Sequence, residues 1–249
     1  MIDTAVILAG GRSERYSGTG SEHKALGLIG GIPIISHILG YLAASGVANA
    51  VVCINDNEKA LRDYASSVTP SSISGIKLRT LATGDHSTTA RRVWQAAKAL
   101  GDEDFLLTYC DVLSDLDIRG FYDLHRHCGK QVTVAATHPP ENYGRLEFRD
   151  DLVCEFAEKM QRQDQWINAG YFLVNSGAIS SLSQNDAAWE KEPMQRLIDR
   201  GQLAGYRHHG FWSAMETQKD RLALDRMYRE KNAPWIKQQE SRPPLAMER

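Results

Sequence analysis

The sequence lacks any apolar run that approaches the roughly 18 residues of a membrane-spanning helix. It also lacks an excess of one charge, since 29 lysines and arginines stand against 31 acids for a formal net charge of -2. This balance gives no electrostatic reason to bind nucleic acid. The first residues, MIDTAVILAGG, place no basic segment ahead of a short apolar run, which is typical of a strand and not of a signal peptide. We therefore expect a cytoplasmic protein without a membrane or nucleic-acid partner.

Cysteine is scarce, and its spacing does not match the common metal-binding motifs. The four residues, Cys53, Cys110, Cys128 and Cys154, are far apart and include no CxxC pair. Cys53 and Cys110 also lie within apolar, strand-like runs. We predict buried free thiols, and neither disulfides nor metal ligands.

The common nucleotide-binding fingerprints are absent too, because no GKS or GKT and no GxGxxG follows the first predicted strand. A different loop stands there, and its notable residues are Gly10, Gly11, Arg12, Arg15 and Lys24. Adjacent glycines let backbone N–H groups approach a ligand, and fixed positive charges suit a triphosphate. An ordinary loop with solvated charges explains the same composition equally well.

The apolar pattern predicts one α/β domain, and a chain of 249 residues fits this class. Strands are predicted at Thr4–Leu8, Ala50–Ile54, Lys77–Ala82, Phe105–Tyr109 and Gln131–Thr137. Helices are predicted between them at Ile34–Ala44, Lys59–Ala65, Arg91–Leu100 and Ile118–His127. This alternation indicates a three-layer α/β/α fold around a mainly parallel sheet.

The pattern changes after Pro139. A hairpin is predicted from residues 145–149 and 151–155, and the elements after it are Asn168–Val174, Glu192–Arg200, Leu203–Arg207 and Thr217–Glu230. We interpret the hairpin as a small β layer inserted into a single domain that spans residues 1–239. Residues 240–249 are charged and contain proline, and we predict that they form a flexible tail.

An acid ends the fourth predicted strand, where Asp111 follows the run FLLTYC. Open α/β sheets bind ligands at the carboxyl ends of their strands, and a carboxylate there can hold Mg²⁺ while leaving coordination positions for phosphate oxygens. A cap on the next turn is an equally good interpretation of Asp111 alone. Asp115 and Asp117 form a DxD pattern like that of metal-dependent glycosyltransferases, but we interpret them as helix caps.

Further charged residues lie near aromatic ones. Phe211 and Trp212 precede Glu216, which is either a second metal ligand or a favourable charge at a helix start. The pair His208-His209 is interpreted as structural or solvated. Candidates for gripping a small anion are Tyr143, Gly144, Glu158 and Lys159. Ordinary surface charge explains each of these on its own.

From about Phe105 to Trp235 the chain resembles the glucose-1-phosphate cytidylyltransferases of the sugar nucleotidyltransferase family. The stretches that carry the resemblance are FLLTYCDVLSDLDI, YGRLEF, FAEKM, WINAGYFLVN, WEKEPMQRL, FWSAMETQKD and APW. The front half matches more loosely through AVILAGG, GGIPIISHI and TGDHSTTARR. The resemblance implies a dinucleotide-binding-like (GT-A-like) fold. It also implies a Mg²⁺-dependent reaction of CTP with a sugar 1-phosphate, giving a CDP-sugar and pyrophosphate.

The resemblance also implies roles for individual residues. The nucleotide side would be formed by Leu8, Ala9, Gly10, Gly11, Arg12, Ser87, Arg92 and Cys110. The catalytic residues would be Arg15, Lys24 and Asp111. The metal ligands would be Asp111 and Glu216. The sugar phosphate would be bound by Tyr143, Gly144, Glu158, Lys159 and Asn168.

The sequence departs from the family pattern in several places. The family's GLGTRL is replaced by GRSERYSGTGSEHKAL, whose spacing is similar to the molybdenum-cofactor guanylyltransferase branch. The segment 54–83 is shorter, and Cys110 and Val112 replace glycines on either side of Asp111. The same chemistry with GTP or another NTP and a different phosphorylated acceptor therefore stays open. So do a non-catalytic nucleotide or sugar-phosphate binding protein and a homo-oligomeric assembly.

Overall fold

The computed structural model describes residues 1–11, 23–73, 75–139, 145–157, 165–182 and 188–236. The strands up to the fifth are β1 Thr4–Leu8, β2 Leu28–Ile29, β3 Ile32–Pro33, β4 Asn49–Ile54 and β5 Lys77–Ala82. The next are β6 Phe105–Tyr109, β7 Val112–Ser114, β8 Val132–Thr137, β9 Arg145–Arg149 and β10 Leu152–Ala157. The last are β11 Ile167–Val174, β12 Leu203–Arg207 and β13 Trp212–Ala214. The helices are α1 Ile34–Ala44, α2 Lys59–Ser67, α3 Thr89–Leu100, α4 Ile118–Cys128, α5 Glu192–Asp199 and α6 Gln218–Arg229.

Seven strands form the central sheet in the order β12-β8-β11-β6-β1-β4-β5. Strand β11 pairs antiparallel with both of its neighbours, while the other paired strands of this sheet run parallel. The carboxyl ends of β1, β4, β5, β6, β8 and β12 therefore meet at one edge. In sheets of this class that edge is the usual place for a ligand.

The alternation of side chains along β1 divides the core between the two faces of the sheet. Ala5 and Ile7 join the cluster that contains the apolar sides of α1, α4 and α6. Val6 and Leu8 join the cluster that contains α3 and α5. The predicted three-layer α/β/α fold is therefore confirmed.

Local polar side chains cap the starts of α3, α4 and α6. Asp117 caps α4 by accepting hydrogen bonds from the N–H groups of Arg119 and Gly120, both at 3.1 Å. The predicted cap is thus Asp117, whereas Asp115 lies 3.3 Å from His208 Nε2. Thr217 and Asp220 form a reciprocal capping box at the start of α6.

The predicted hairpin is present as β9 and β10, which pair antiparallel. The sequence prediction missed two short pairs, β2 with β3 and β7 with β13. Strands of two or three residues carry too short a pattern to be recognised. Among the described residues no helix is long and apolar enough to span a membrane.

The cysteine prediction is correct in part. All four cysteines are free, and Cys53 and Cys110 are buried. Burial raises the pKa of Cys53 to about 12, so this thiol stays protonated. Cys128 is half-buried and Cys154 is exposed, so the expected burial is wrong for these two. Cys154 lies on β10, one strand of a two-stranded sheet that is separate from the central sheet.

Candidate active site

The residues that directly follow β1 and β6 lie side by side at the carboxyl edge of the sheet. The N–H of Ala9 donates to Cys53 O at 2.9 Å, and the N–H of Cys110 donates to Leu8 O at 3.2 Å. Leu8, Ala9 and Gly10 are buried, whereas Gly11 is exposed. The predicted glycine turn is therefore held next to the segment that carries Asp111.

Lys24 and Asp111 form an ion pair at this edge. Lys24 Nζ lies 2.6 Å from Asp111 Oδ2, and the two side chains are 16% and 22% exposed. Lys24 begins a short 3-10 turn in which His23 Nδ1 accepts from Ala25 N at 3.1 Å. Burial lowers the pKa of His23 and so disfavours a second positive charge beside Lys24. The fold thus brings together two residues that lie 87 positions apart in sequence.

Glu216 reaches the same place through the short β7–β13 pair. In that pair Ala214 lies opposite Val112, and the next residue, Met215, donates its N–H to Asp111 O at 2.8 Å. Glu216 follows directly and is exposed. The backbone therefore carries the two predicted metal carboxylates on adjoining segments.

Cys110 contributes no charge to this arrangement. Burial, reinforced by the neighbouring Asp111 carboxylate, raises the pKa of its thiol well above the ordinary value. The thiol therefore stays protonated at neutral pH. Its backbone N–H, which donates to Leu8 O, joins the segments that follow β1 and β6.

Arg92 lies beneath the glycine turn as a buried clamp. Its side chain projects from α3, is 3% exposed, and donates to Gly10 O at 3.0 Å, Gly84 O at 3.1 Å and Asn55 Oδ1 at 2.7 Å. It also donates to Ile54 O at 3.3 Å and to the hydroxyl of Thr83. One guanidinium therefore ties together the ends of β1, β4 and β5.

Gly10 is fitted to this clamp. A Cβ atom built on Gly10 would lie 2.0 Å from Arg92 Cζ, a distance that no packed side chain can tolerate. Position 10 therefore requires glycine, because the Arg92 guanidinium lies directly under the backbone of the glycine turn. Arg92 was predicted to contact the nucleotide, and its described partners are protein groups.

Ser87 lies in the loop between β5 and α3. It is half-buried, and its hydroxyl donates to Thr83 O, close to Gly84, whose φ is +92°. A Cβ on Gly84 would lie 2.8 Å from Ser87 Oγ. Ser87 thus belongs to the same wall as the Arg92 clamp.

The arrangement suits a divalent cation. Asp111 and Glu216 offer carboxylate oxygens, and Mg²⁺ is usually held by one or two carboxylates together with water and substrate phosphates. Within the described residues no group of three or more His, Cys, Asp or Glu side chains could hold a metal ion. The described residues therefore do not surround a metal ion by themselves. Two carboxylates fit a cation whose other ligands are phosphate oxygens and water.

Comparisons with known proteins agree with this geometry. The nucleotidyl transferase family model matches residues 4–220. The chain belongs to the nucleotidyl transferase family. It is 32% identical over 251 aligned residues to a glucose-1-phosphate cytidylyltransferase of Salmonella typhimurium, an alignment that covers 93% of this chain and 98% of that one. The resemblance seen in the sequence, and with it the prediction of an enzyme of this class, is therefore confirmed.

Two further comparisons concern a more distant relative and a solved structure. A mannose-1-phosphate guanyltransferase of Candida albicans is 27% identical over 90% of this chain and 64% of its own length. The crystal structure of a UDP-glucose pyrophosphorylase from Acinetobacter baumanii superposes with a TM-score of 0.72 at 14% identity. That superposition covers 96% of this chain and 98% of the other. It supports the GT-A-like fold of this nucleotidyl transferase.

Asn168 lies near the start of β11, which runs antiparallel to β6, the strand that precedes Asp111. Its Oδ1 accepts from Gly170 N at 2.8 Å, in the irregular part of β11. Gly170 has φ +76°, and a Cβ there would lie 3.0 Å from the Tyr109 ring and 3.3 Å from Val112. Trp212 completes this wall by donating Nε1–H to Ala169 O at 2.7 Å.

Several predicted residues of this nucleotidyl transferase lie outside the described part of the chain. They are Arg12, Arg15, Tyr143, Gly144, Glu158 and Lys159. Their roles stay predictions. The described ranges bring together Gly10, Lys24, Asp111, Glu216 and Asn168 at one edge of the sheet.

Sequence reasoning missed a network on the nucleotide side. The Tyr109 hydroxyl donates to Glu190, whose other oxygen accepts from Thr89 Oγ1 at 3.2 Å. Burial, and then the Glu190 carboxylate, raises the pKa of Tyr109, which keeps the phenol protonated as the donor. Thr89 Oγ1 in turn accepts from Trp189 N at 2.9 Å. The stretch WEKEPMQRL, which contains Trp189 and Glu190, was among those that carry the family resemblance. It could have drawn attention to these residues, but it does not reveal their contacts.

Proposed function

We propose that the protein joins CTP to a glucose 1-phosphate-like sugar 1-phosphate and releases a CDP-sugar and pyrophosphate. The observation that carries this proposal is the Lys24–Asp111 ion pair at 2.6 Å, with Glu216 joined to Asp111 through the bond from Met215 N. A cation and two carboxylates at the carboxyl edge of the sheet form a site for two anionic substrates.

The charges explain what the site must do. In the reaction, an oxygen of the sugar phosphate attacks the α-phosphorus of the nucleotide, a new P–O bond forms, and pyrophosphate leaves with its electron pair. Both reactants are anions, so positioning and screening are the main tasks of the protein. Lys24, with Arg15 as the second predicted cation, would hold phosphate oxygens in line. The attacking phosphate is already ionised at neutral pH, so no general base is required.

We also propose that Mg²⁺ is held by Asp111 and Glu216. Such an ion supplies positive charge to the phosphate oxygens and orients the two reacting groups. The carboxylate donors and the exposure of Glu216 support this assignment. Glu216 is one methylene longer than an aspartate, and the antiparallel bond between Met215 and Asp111 fixes its backbone.

The nucleotide would lie over the glycine turn. The buried Arg92 clamp fixes Gly10 and Gly84, so the backbone beneath the nucleotide is already in place before it binds. The 32% identity to a glucose-1-phosphate cytidylyltransferase supports CTP. The likeness to a mannose-1-phosphate guanyltransferase keeps GTP as the alternative nucleotide. CTP is a cytoplasmic metabolite, and a cytoplasmic location is part of the proposal.

The test is pyrophosphate release by the purified protein with Mg²⁺, each of the four NTPs, and glucose 1-phosphate. Release with CTP alone supports the proposal. Release with another NTP keeps the reaction and changes the nucleotide. Nucleotide binding without release from any pair would refute the catalytic proposal.

A further inference from the structure

A second group of side chains lies at the same edge of the sheet, beyond Asn168. The rings of His138 and Trp166 stack with centroids 4.0 Å apart, and His209 packs against Trp166 edge-on at 5.2 Å. The guanidinium of Arg207 lies 5.6 Å from the centre of the Trp166 ring. We call these residues, Trp166, His138, His209 and Arg207, the basic cluster.

The register of the strands places the basic cluster relative to the catalytic edge. Trp166 immediately precedes Ile167, which pairs with Thr137 at the end of β8, and Arg207 pairs with Ala136 on the other side of β8. Neighbouring strands are about 4.8 Å apart, so β8 and β12 lie roughly 10 and 14 Å from β6. A hexose 1-phosphate with an anionic group on the far side of its ring spans part of this distance, and the long side chain of Arg207 can cover the rest.

The charge of the basic cluster is of one sign. Arg207 is permanently charged, and both Arg207 and His209 are exposed. Across the described ranges neither of them forms an ion pair with an acid, whereas the neighbouring His208 is buried and lies 3.3 Å from Asp115. Arg207 is thus the permanent cation that faces solvent on this part of the edge, with the exposed imidazole of His209 beside it.

Trp166 gives this cluster its geometry. His138 stacks on the indole at a tilt of 37°, and Arg207 lies over the same ring. His138 Nδ1–H donates to Gln165 O at 2.9 Å, which fixes the imidazole beside the indole. The indole therefore organises the basic groups around it, although Trp166 itself is 36% exposed.

We propose that the basic cluster binds an anionic group on the far side of the acceptor, so that the preferred substrates are sugar 1-phosphates that carry a second anionic group besides the anomeric phosphate. The proposal deepens the function given above and rests on its acceptor site. Arg207 is the residue that contacts the anion, and Trp166 is a positioning residue. A carboxylate and a second phosphate present the same chemistry to a guanidinium.

The kinetic test compares three acceptors under identical Mg²⁺ and CTP: glucose 1-phosphate, glucuronic acid 1-phosphate and glucose 1,6-bisphosphate. In the unmodified protein we expect kcat/KM for glucuronic acid 1-phosphate, for glucose 1,6-bisphosphate or for both to exceed that for glucose 1-phosphate. The expected factor is about tenfold, which corresponds to one charge-assisted hydrogen bond. The acid and the bisphosphate distinguish a carboxylate from a phosphate. Equal use of all three acceptors would overturn the proposal.

The variant Arg207→Gln should remove this preference while the KM for CTP stays unchanged, and Arg207→Lys should restore part of it. Arg126→Gln is the matched control, because Arg126 is an exposed arginine near the opposite end of β8. Trp166→Phe should weaken the preference by less than Arg207→Gln, through KM and not kcat. A preference that survives Arg207→Gln would refute the role of this residue.

Equilibrium binding separates this proposal from the proposed reaction. Calorimetric titration with glucose 1,6-bisphosphate needs no turnover, and we expect binding about tenfold tighter than that of glucose 1-phosphate. Tighter binding that is lost in Arg207→Gln supports the basic cluster even if no pyrophosphate is released. Equal binding of the two compounds, together with normal CTP turnover, would reject the cluster and leave the reaction standing.

Discussion

Replacement of Arg92 distinguishes a clamp from a nucleotide contact. In Arg92→Met the buried carbonyls of Gly10, Gly84 and Ile54 lose a charged donor that lies between 3.0 and 3.3 Å away. Hydrogen bonds to charged groups contribute about 1.5–3 kcal/mol each, but Ile54 O keeps other donors and water reaches part of the site. We therefore expect the free energy of unfolding to fall by about 3–5 kcal/mol.

Urea unfolding measures this loss, and pyrophosphate release measures its effect on the nucleotide turn. Arg92→Lys keeps the charge but cannot reach all the acceptors, so it should recover only part of the stability. Gly10→Ala should also destabilise, because its Cβ would lie 2.0 Å from Arg92 Cζ. Since the two residues touch, the double variant Gly10→Ala with Arg92→Met should be less destabilised than the sum of the single variants, by about 1 kcal/mol or more.

The opposite result would refute the clamp. If Arg92 acts only as a ligand for the nucleotide, Arg92→Met raises the KM for the NTP and leaves the urea midpoint unchanged. Additive effects of the Gly10 and Arg92 variants would show that the close approach of the two residues has no energetic consequence. A matched surface control is Arg91→Met, which lies beside Arg92 on α3 but is exposed.

Three other predictions concern the catalytic edge and the core. Asp111→Asn should reduce Mg²⁺-dependent turnover by about 10³-fold or more with an unchanged circular dichroism spectrum, and retained activity would remove Asp111 from the metal site. Lys24→Met should lower kcat by about 10²–10³-fold, measured by pyrophosphate release, and Lys24→Arg should recover part of it. Burial lowers the pKa of His37, whose Nε2–H donates to Ile29 O at 3.0 Å while Nδ1 accepts from Trp235 Nε1 at 3.3 Å. Once the pH falls below the unperturbed pKa of about 6.5, the unfolded chain therefore binds more protons at this histidine than the folded chain does. The free energy of unfolding is thus fully retained above that pH and decreases as the pH falls from 7 to 5. His37→Gln should flatten this dependence in urea titrations, and an identical slope would contradict the assignment.

The order of the main elements could be predicted from the sequence because each one leaves a local pattern. The strands Thr4–Leu8, Lys77–Ala82 and Phe105–Tyr109 were predicted with the boundaries that the structure has. β1 and β6 are short, mainly apolar runs, whereas the edge strand β5 begins with alternating polar and apolar residues. The helices between the strands carry a helical period, and a cap or a glycine marks an end of most of them. Lys24, Asp111 and Glu216 were candidates from their positions in the sequence, and the resemblance to a family assigned their roles.

Only the tertiary structure decided which of these residues meet. The Lys24–Asp111 pair joins positions 87 apart, and the strand pair that carries Glu216 to Asp111 is too short to leave a pattern in the sequence. Arg92 was predicted to contact the nucleotide, but its burial under Gly10 depends on the parallel arrangement of β1, β4 and β5. The basic cluster around Trp166 draws on three segments brought together by the pairing of β8, β11 and β12. Local sequence determines which backbone conformation is favourable, whereas long-range pairing determines which side chains share one site.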